Sequence, residues 1–89
     1  MHVTDAAEEV VDEFLPLFMR RPTKEHRAIT TCAILQCIAP SETEPDFLDA
    51  VYRHKVHGRA TRRVLAAVQG DGLLALCGAT LERMNASRR

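Results

Sequence analysis

The chain has 89 residues, of which 46% are hydrophobic, 27% charged and 4% aromatic, and its formal net charge is zero. This length and composition are typical of one folded domain, 1–89, and argue against a disordered chain. Zero net charge removes any overall attraction to nucleic acid or to an anionic membrane. The amino-terminal residues have neither a basic start nor an apolar run, and the three cysteines are odd in number, so we expect a cytoplasmic protein with reduced thiols.

The first predicted helix covers 4–19. Its apolar residues recur at spacings of three and four, and its acids fall on the complementary face, which is the pattern of an amphipathic helix. Thr4 is the expected N-cap. Pro16 lies late in the pattern, where it kinks or ends the helix, and we expect Leu17 and Phe18 still to pack inward.

The second predicted helix, about residues 23–39, contains the most apolar stretch of the chain. Eight of the eleven residues from Ile29 to Ala39 are apolar, and the polar ones do not form a stripe. A helix that is apolar all round is buried all round. This stretch is shorter than the roughly 20 residues that span a bilayer. We therefore expect a central helix against which the others pack, and no membrane segment.

Residues 40–69 leave two arrangements open. Thr43 to Asp46 has the pattern of a capping box, and the apolar spacing that follows continues to His57. Gly58 either caps this helix or lies inside one long helix that continues to Gln69. The helix over 59–69 is expected in both cases. Its inward-facing residues are Ala60, Val64, Leu65 and Val68.

The last predicted helix covers 73–85, after a turn at 70–72 in which Asp71 is the expected cap. We expect Leu74 and Leu81 to face inward, and Gly78 indicates the close approach of another helix. The sequence shows no strand pattern and no repeat. The predicted fold class is therefore all-α, a compact bundle of four to five helices around a buried central helix.

Charge is distributed unevenly along the chain. The first helix carries five acids, whereas residues 50–70 contain bases, histidines and no acid. The two charged faces either complement each other, within the fold or across a dimer, or serve a partner of opposite charge. We predict a non-enzymatic protein-interaction module, acting as a regulator, adaptor or inhibitor, whose partner has an acidic surface; a homodimer is a further possibility. The predicted partner-binding residues are Arg53, His54, Lys55, His57, Arg59, Arg62 and Arg63.

An alternative function comes from the segment His54-Lys55-Val56-His57-Gly58. A histidine and a glycine four residues apart lie on one helical face. The segment resembles the phosphorylated helix of histidine-phosphotransfer domains, although His57 stands where that family has lysine. The resemblance implies phosphorylation at His54, and Lys55 and Arg59 are placed to balance a phosphoryl group.

A second resemblance involves Arg27 to Leu35 and Gly58 to Thr61, which are similar to carboxymuconolactone decarboxylase-like helical proteins. The paired cysteines of those proteins fall near Glu44 and Phe47 in this chain, so their redox chemistry is not implied. This resemblance makes Gly58 a helix break, whereas the phosphotransfer resemblance keeps it inside a helix.

Nucleic-acid binding through the basic stripe 53–63 is the third hypothesis. A helix-turn-helix has a turn of three or four residues around glycine, and Gly58 alone gives a shorter one. Cys32 and Cys37 lie about 140° apart on a helix, so they do not share a metal ion. The sequence contains no phosphate-binding loop, nucleophile elbow or paired catalytic carboxylates. We therefore predict no enzyme, no catalytic residue, no cofactor and no metal.

Overall fold

The computed structural model describes residues 1–40 and 57–88, with the side chains of His57 and Gly58 excepted. The regular structure in these ranges consists of helices, which confirms the all-α class. The Cα radius of gyration is 12.4 Å, and a compact domain of this length has about 12 Å. The capping box predicted at Thr43 to Asp46 and the predicted helix that follows it, as far as Val56, lie outside the described residues. The described helices are α1 (Val3–Phe18), α2 (Lys24–Ile38), α3 (His57–Val68) and α4 (Asp71–Ser87).

Helix α1 is amphipathic, as its spacing predicts. Its N-cap is His2, whose Nδ1 accepts a hydrogen bond from the Thr4 N–H at 3.1 Å, so Thr4 is not the cap. The acids are exposed on the opposite side of the helix. The helix therefore contributes one complete face to the core, made of Val3, Ala6, Ala7, Val10, Val11 and Leu15.

Pro16 lies inside the last turn of α1 and does not end it. The helix continues to Phe18, and the Met19 N–H donates to the Leu15 carbonyl at 3.1 Å. Phe18 packs against the core, as expected. Leu17 is 77% exposed, so the prediction that it faces inward is wrong.

Helix α2 begins with a reciprocal cap. Thr23 Oγ1 accepts from the His26 N–H at 3.2 Å, and His26 Nδ1 accepts from the Thr23 N–H at 3.1 Å. The usual capping box has glutamate or glutamine in the second position. Here a histidine takes that role, and its ring is buried in doing so.

Helix α2 packs against each of the other three described helices. Ile34 and Leu35 are buried, whereas Gln36 and Cys37 are exposed. At 3.6 residues per turn, the second pair lies on nearly the opposite side of the helix from the first. The expectation that 29–39 is buried all round is therefore wrong at its carboxyl end, and a bundle around one buried central helix is not confirmed.

Three buried threonines satisfy their hydroxyls within their own helices. Thr30 Oγ1 donates to the His26 carbonyl at 2.7 Å, and Thr80 Oγ1 donates to the Leu76 carbonyl at 2.8 Å. Thr31 bonds in the same way to the carbonyl four residues before it, at 2.9 Å. A hydroxyl paired in this way can be buried without a partner on another helix.

The turn between α3 and α4 depends on a glycine. Gly70 has φ 66° and ψ −120°, a combination that residues with a Cβ atom rarely adopt. Gly70 occupies the N-cap position, and no side chain caps the helix. Asp71 is the first residue of α4, so the predicted cap at Asp71 is wrong. A Cβ at Gly72 would lie 3.2 Å from Cε1 of Phe18, so the start of α4 packs closely against the end of α1.

Helix α3 includes Gly58 in its first turn, so this glycine is helical, and the residues before His57 lie outside the described range. Ala60, Val64 and Val68 are buried, as predicted. Leu65 is 53% exposed, contrary to the prediction. The fully buried side chains of the core come from all four described helices, and the largest include Leu15, Ile34, Leu35, Val64, Val68 and Leu76.

Candidate interaction surfaces

The basic face of α3 consists of Arg59, Arg62 and Arg63, which are all exposed. They lie three and four residues apart on the side of the helix that faces away from Ala60, Val64 and Val68. These arginines are three of the seven predicted partner-binding residues. The side chains of the other four, Arg53, His54, Lys55 and His57, lie outside the described part of the structure.

The acidic face of α1 consists of Asp5, Glu8, Glu9, Asp12 and Glu13. Among the described residues, Glu9 and Glu13 form ion pairs with Arg83 of α4, and Asp12 forms one with Arg27 of α2.

Arg83 forms the stronger of these links. It donates from Nη1 to Glu9 Oε2 at 3.3 Å and from Nη2 to Glu13 Oε2. The hydrogen bond to Glu13, and secondarily the one to Glu9, raises the pKa of the Arg83 guanidinium. Arg27 Nε lies 3.4 Å from Asp12 Oδ1, an ion pair that lacks hydrogen-bond geometry.

These ion pairs do not join the two charged faces to each other. Three acids of α1, Glu9, Asp12 and Glu13, pair with Arg27 and Arg83, which belong to α2 and α4. Among the described residues, Arg59 and Arg63 have no acidic partner. Ion pairs within the described residues therefore account for three of the five acids of α1 and for neither Arg59 nor Arg63.

The three cysteines differ in environment. Cys32 is 6% exposed and Cys77 is 7% exposed, whereas Cys37 is on the surface. Burial raises the pKa of the Cys32 thiol to about 11. Burial also raises the pKa of Cys77, and the nearby Cys37 thiol raises it further.

Helix α4 exposes two leucines that the sequence places in the core. Leu74 is 70% exposed and Leu81 is 46% exposed, while Leu76, Cys77 and Thr80 are buried. Gly78 lies between the two leucines, and a Cβ there would have no atom within 4 Å. The predictions that Leu74 and Leu81 face inward and that Gly78 marks a close helix approach are wrong, because α4 turns its other side to the core.

The sequence is compatible with the exposure of these positions on α4. Asp71, Leu74, Gly78 and Leu81 follow each other at spacings of three and four, which is a helical stripe in its own right. A second helical stripe, which is the buried one, runs through Leu76 and Thr80. Periodicity alone does not choose between the two stripes.

Charged side chains line the clefts of the described part. The cleft between α1 and α2 is lined by residues of both signs, Glu8 and Asp12 on one side and Lys24 and Arg27 on the other. Within residues 1–40 and 57–88, no group of three His, Cys, Asp or Glu side chains is placed to hold a metal ion.

Within the same ranges, no single helix is long and apolar enough to cross a membrane. Arg59–Val68 and Asp71–Ser87 meet the requirement only when they are counted together, and they are bent by 82° at the break between them.

No protein-family model matches the chain, and no curated protein or solved structure matches it either. The resemblances to histidine-phosphotransfer domains and to carboxymuconolactone decarboxylase-like proteins are therefore without support from a family match.

Proposed function

We propose that this chain is a non-enzymatic protein-interaction module, a regulator, adaptor or inhibitor, that binds an acidic surface of another protein through the basic face of α3. The observation that carries the proposal is that Glu9, Asp12 and Glu13 of α1 pair with Arg27 and Arg83 and not with the basic face of α3. Arg59 and Arg63 have no acidic partner in the described part of the structure. The proposed surface extends to Arg53, His54, Lys55 and His57.

The chemistry of arginine supports this assignment. The guanidinium group offers donors in a planar fork that matches the two oxygens of a carboxylate, so arginine recognises acidic side chains with defined geometry. Exposed charges of this kind increase the rate of association and select the partner more than they increase the affinity. Binding through the basic face should therefore weaken as salt is added.

The experiment compares two triple variants with the same change of charge. The first reverses the basic face, with Arg59→Glu, Arg62→Glu and Arg63→Glu. The control reverses three bases that lie between α1 and α2 or at the start of α2, with Arg20→Glu, Arg21→Glu and Lys24→Glu. All six positions are exposed, so both variants should keep the far-ultraviolet circular dichroism of the original chain.

Each tagged variant is then used to capture proteins from lysate, and the captured proteins are identified by mass spectrometry. We expect the original chain and the control to capture the same protein and the basic-face variant to lose it. Equal capture by all three chains would contradict the proposal. Equal loss from both variants would also contradict it, because the effect would then follow net charge and not the basic face.

Two further measurements address the alternatives. Incubation with a phosphorylated response regulator, followed by analysis for label on His54, tests phosphotransfer. Retention on heparin over a range of salt concentrations tests nucleic-acid binding, which depends steeply on salt.

A further inference from the structure

A second surface lies on α4 and is independent of the basic face. Six exposed residues, five in this helix and one at its C-cap, follow each other at spacings of three, four, three, four and three. This is the repeat by which helices pair lengthwise in coiled coils. We call these six residues the α4 seam, and they are Asp71, Leu74, Gly78, Leu81, Asn85 and Arg88.

Within residues 1–40 and 57–88, the core does not use the α4 seam. The core side of α4 carries Leu76, Cys77 and Thr80, which are buried. Single exposed leucines are ordinary on protein surfaces. Leu74 and Leu81, however, flank Gly78 on one stripe, and the space above this glycine is open. The result is an apolar stripe with a hollow in its middle.

The order of residues along the seam is self-complementary. When two copies of α4 lie antiparallel, Asp71 faces Arg88 of the second copy at each end. Leu81 then faces the hollow at Gly78, and Leu74 faces Asn85. We propose that the α4 seam binds a second copy of this chain, in an antiparallel arrangement related by two-fold symmetry.

Charge selects the antiparallel arrangement over the parallel one. In a parallel pair, each Asp71 would face its own copy, and so would each Arg88. Like charges at both ends would repel, whereas the antiparallel pair has an opposite charge at each end. The same feature favours a second copy as the occupant, because the seam supplies both members of each charge pair.

The first test measures the molecular mass by sedimentation equilibrium from micromolar to millimolar concentration. We expect a concentration-dependent shift from monomer to dimer. Leu81→Glu should raise the dissociation constant of the dimer by roughly tenfold or more, because it removes an apolar side chain from the centre of the contact. Leu17→Glu is the matched control, since Leu17 is an exposed leucine outside the seam, and it should leave the dissociation constant unchanged.

The second test exchanges the end charges. Asp71→Arg brings arginine against Arg88 of the second copy, and Arg88→Asp brings aspartate against Asp71, so each variant alone should dimerise more weakly than the original chain. An equimolar mixture of the two variants has opposite charges at both ends and should recover the original dissociation constant. A general effect on folding would give no such recovery, and circular dichroism checks that each chain is helical.

Three results would overturn the proposal. The first is a chain that stays monomeric over the whole concentration range. The second is a dimer that Leu81→Glu leaves unchanged, since the contact would then lie on another surface. The third is a dimer that responds to Leu81→Glu but not to either charge variant, because the antiparallel pairing of Asp71 with Arg88 would then be wrong.

Discussion

The thiol of Cys37, in the last turn of α2, lies close enough to the thiol of Cys77 on α4 to raise the pKa of Cys77. The first thiol is on the surface, and the second is almost covered. The two thiols lie where α2 packs against α4. Their different exposure makes the cysteines of the chain distinguishable by their chemistry.

We predict that Cys37 reacts first with iodoacetamide in the native protein. The thiolate is the reactive form, and burial both blocks access to Cys32 and Cys77 and raises their pKa values. The measurement is mass spectrometry of cysteine-containing peptides after increasing reaction times. In urea, the three cysteines should react at similar rates. Native labelling of Cys32 as fast as Cys37 would show that α2 is not packed as described.

The stability of the protein should fall in alkaline solution. The pKa of Cys32 is about 11 in the folded protein, against an ordinary value of 9.0. As the pH rises above 9.0, the unfolded chain loses this proton before the folded chain does, and the unfolded state is favoured. The stabilising contribution is complete below pH 9.0 and is lost as the pH approaches 11.

Urea unfolding at a series of pH values measures this decline. Cys32→Val removes the thiol and should make the decline smaller, whereas Cys37→Ser should leave the part due to Cys32 unchanged. An identical decline in the original chain and in Cys32→Val would contradict the assignment.

Leu15 and Leu17 provide a matched comparison on one helix. Leu15 is 0% exposed and Leu17 is 77% exposed. Leu15→Ala should lower the free energy of unfolding by about 2–5 kcal/mol, because it leaves a cavity in the core. Leu17→Ala should change it by about 0.5 kcal/mol or less. Chemical denaturation measures both values, and similar losses for the two variants would place Leu17 in the core.

Two glycines of the α3–α4 region should respond to alanine in opposite directions. Gly78→Ala should stabilise the monomer by about 0.5–1 kcal/mol, because a helix interior favours alanine and the position has free space. Gly70→Ala should destabilise it by about 1–3 kcal/mol, because φ is +66° there. Thermal denaturation at a concentration where the chain is monomeric measures both, and stabilisation by Gly70→Ala would contradict the turn geometry.

Arg83→Gln should lower the stability of the chain, because it removes the bridge from α4 to Glu9 and Glu13. The loss should be larger at low salt than at high salt, since exposed charges are screened. Arg59→Gln is the control, because Arg59 has no acidic partner among the described residues, and it should have little effect at either salt concentration. Equal effects of the two substitutions would argue against the bridge.

The sequence predicts the helical class and the inward face of α1 well. In α1, the acids and the apolar residues alternate at helical spacing, so one face is clearly apolar and the other is clearly charged. In α4, apolar residues surround most of the helix, and Thr80 is buried whereas Leu81, which was expected to face inward, is 46% exposed. A threonine that bonds to its own helix has little cost of burial, which hydrophobic spacing does not register.

The charge pairs were beyond the reach of sequence reasoning for a different reason. Arg83 is 70 residues from Glu13 and 74 residues from Glu9 along the chain. Only the packing of α4 against α1 brings these side chains together. Sequence reasoning finds the acidic stripe of α1 and the basic stretch 50–70, but it does not indicate which cations neutralise which acids.

The buried threonines bear on how the arrangement of helices is specified. Because each of Thr30, Thr31 and Thr80 bonds to its own backbone, none of these hydroxyls locks one helix against another. A helix in this core can therefore rotate slightly about its long axis without breaking a directional bond from any of them. Inside the core, steric fit between aliphatic side chains, rather than hydrogen bonds from these threonines, orients the helices, so mutations that conserve side-chain volume should be well tolerated there.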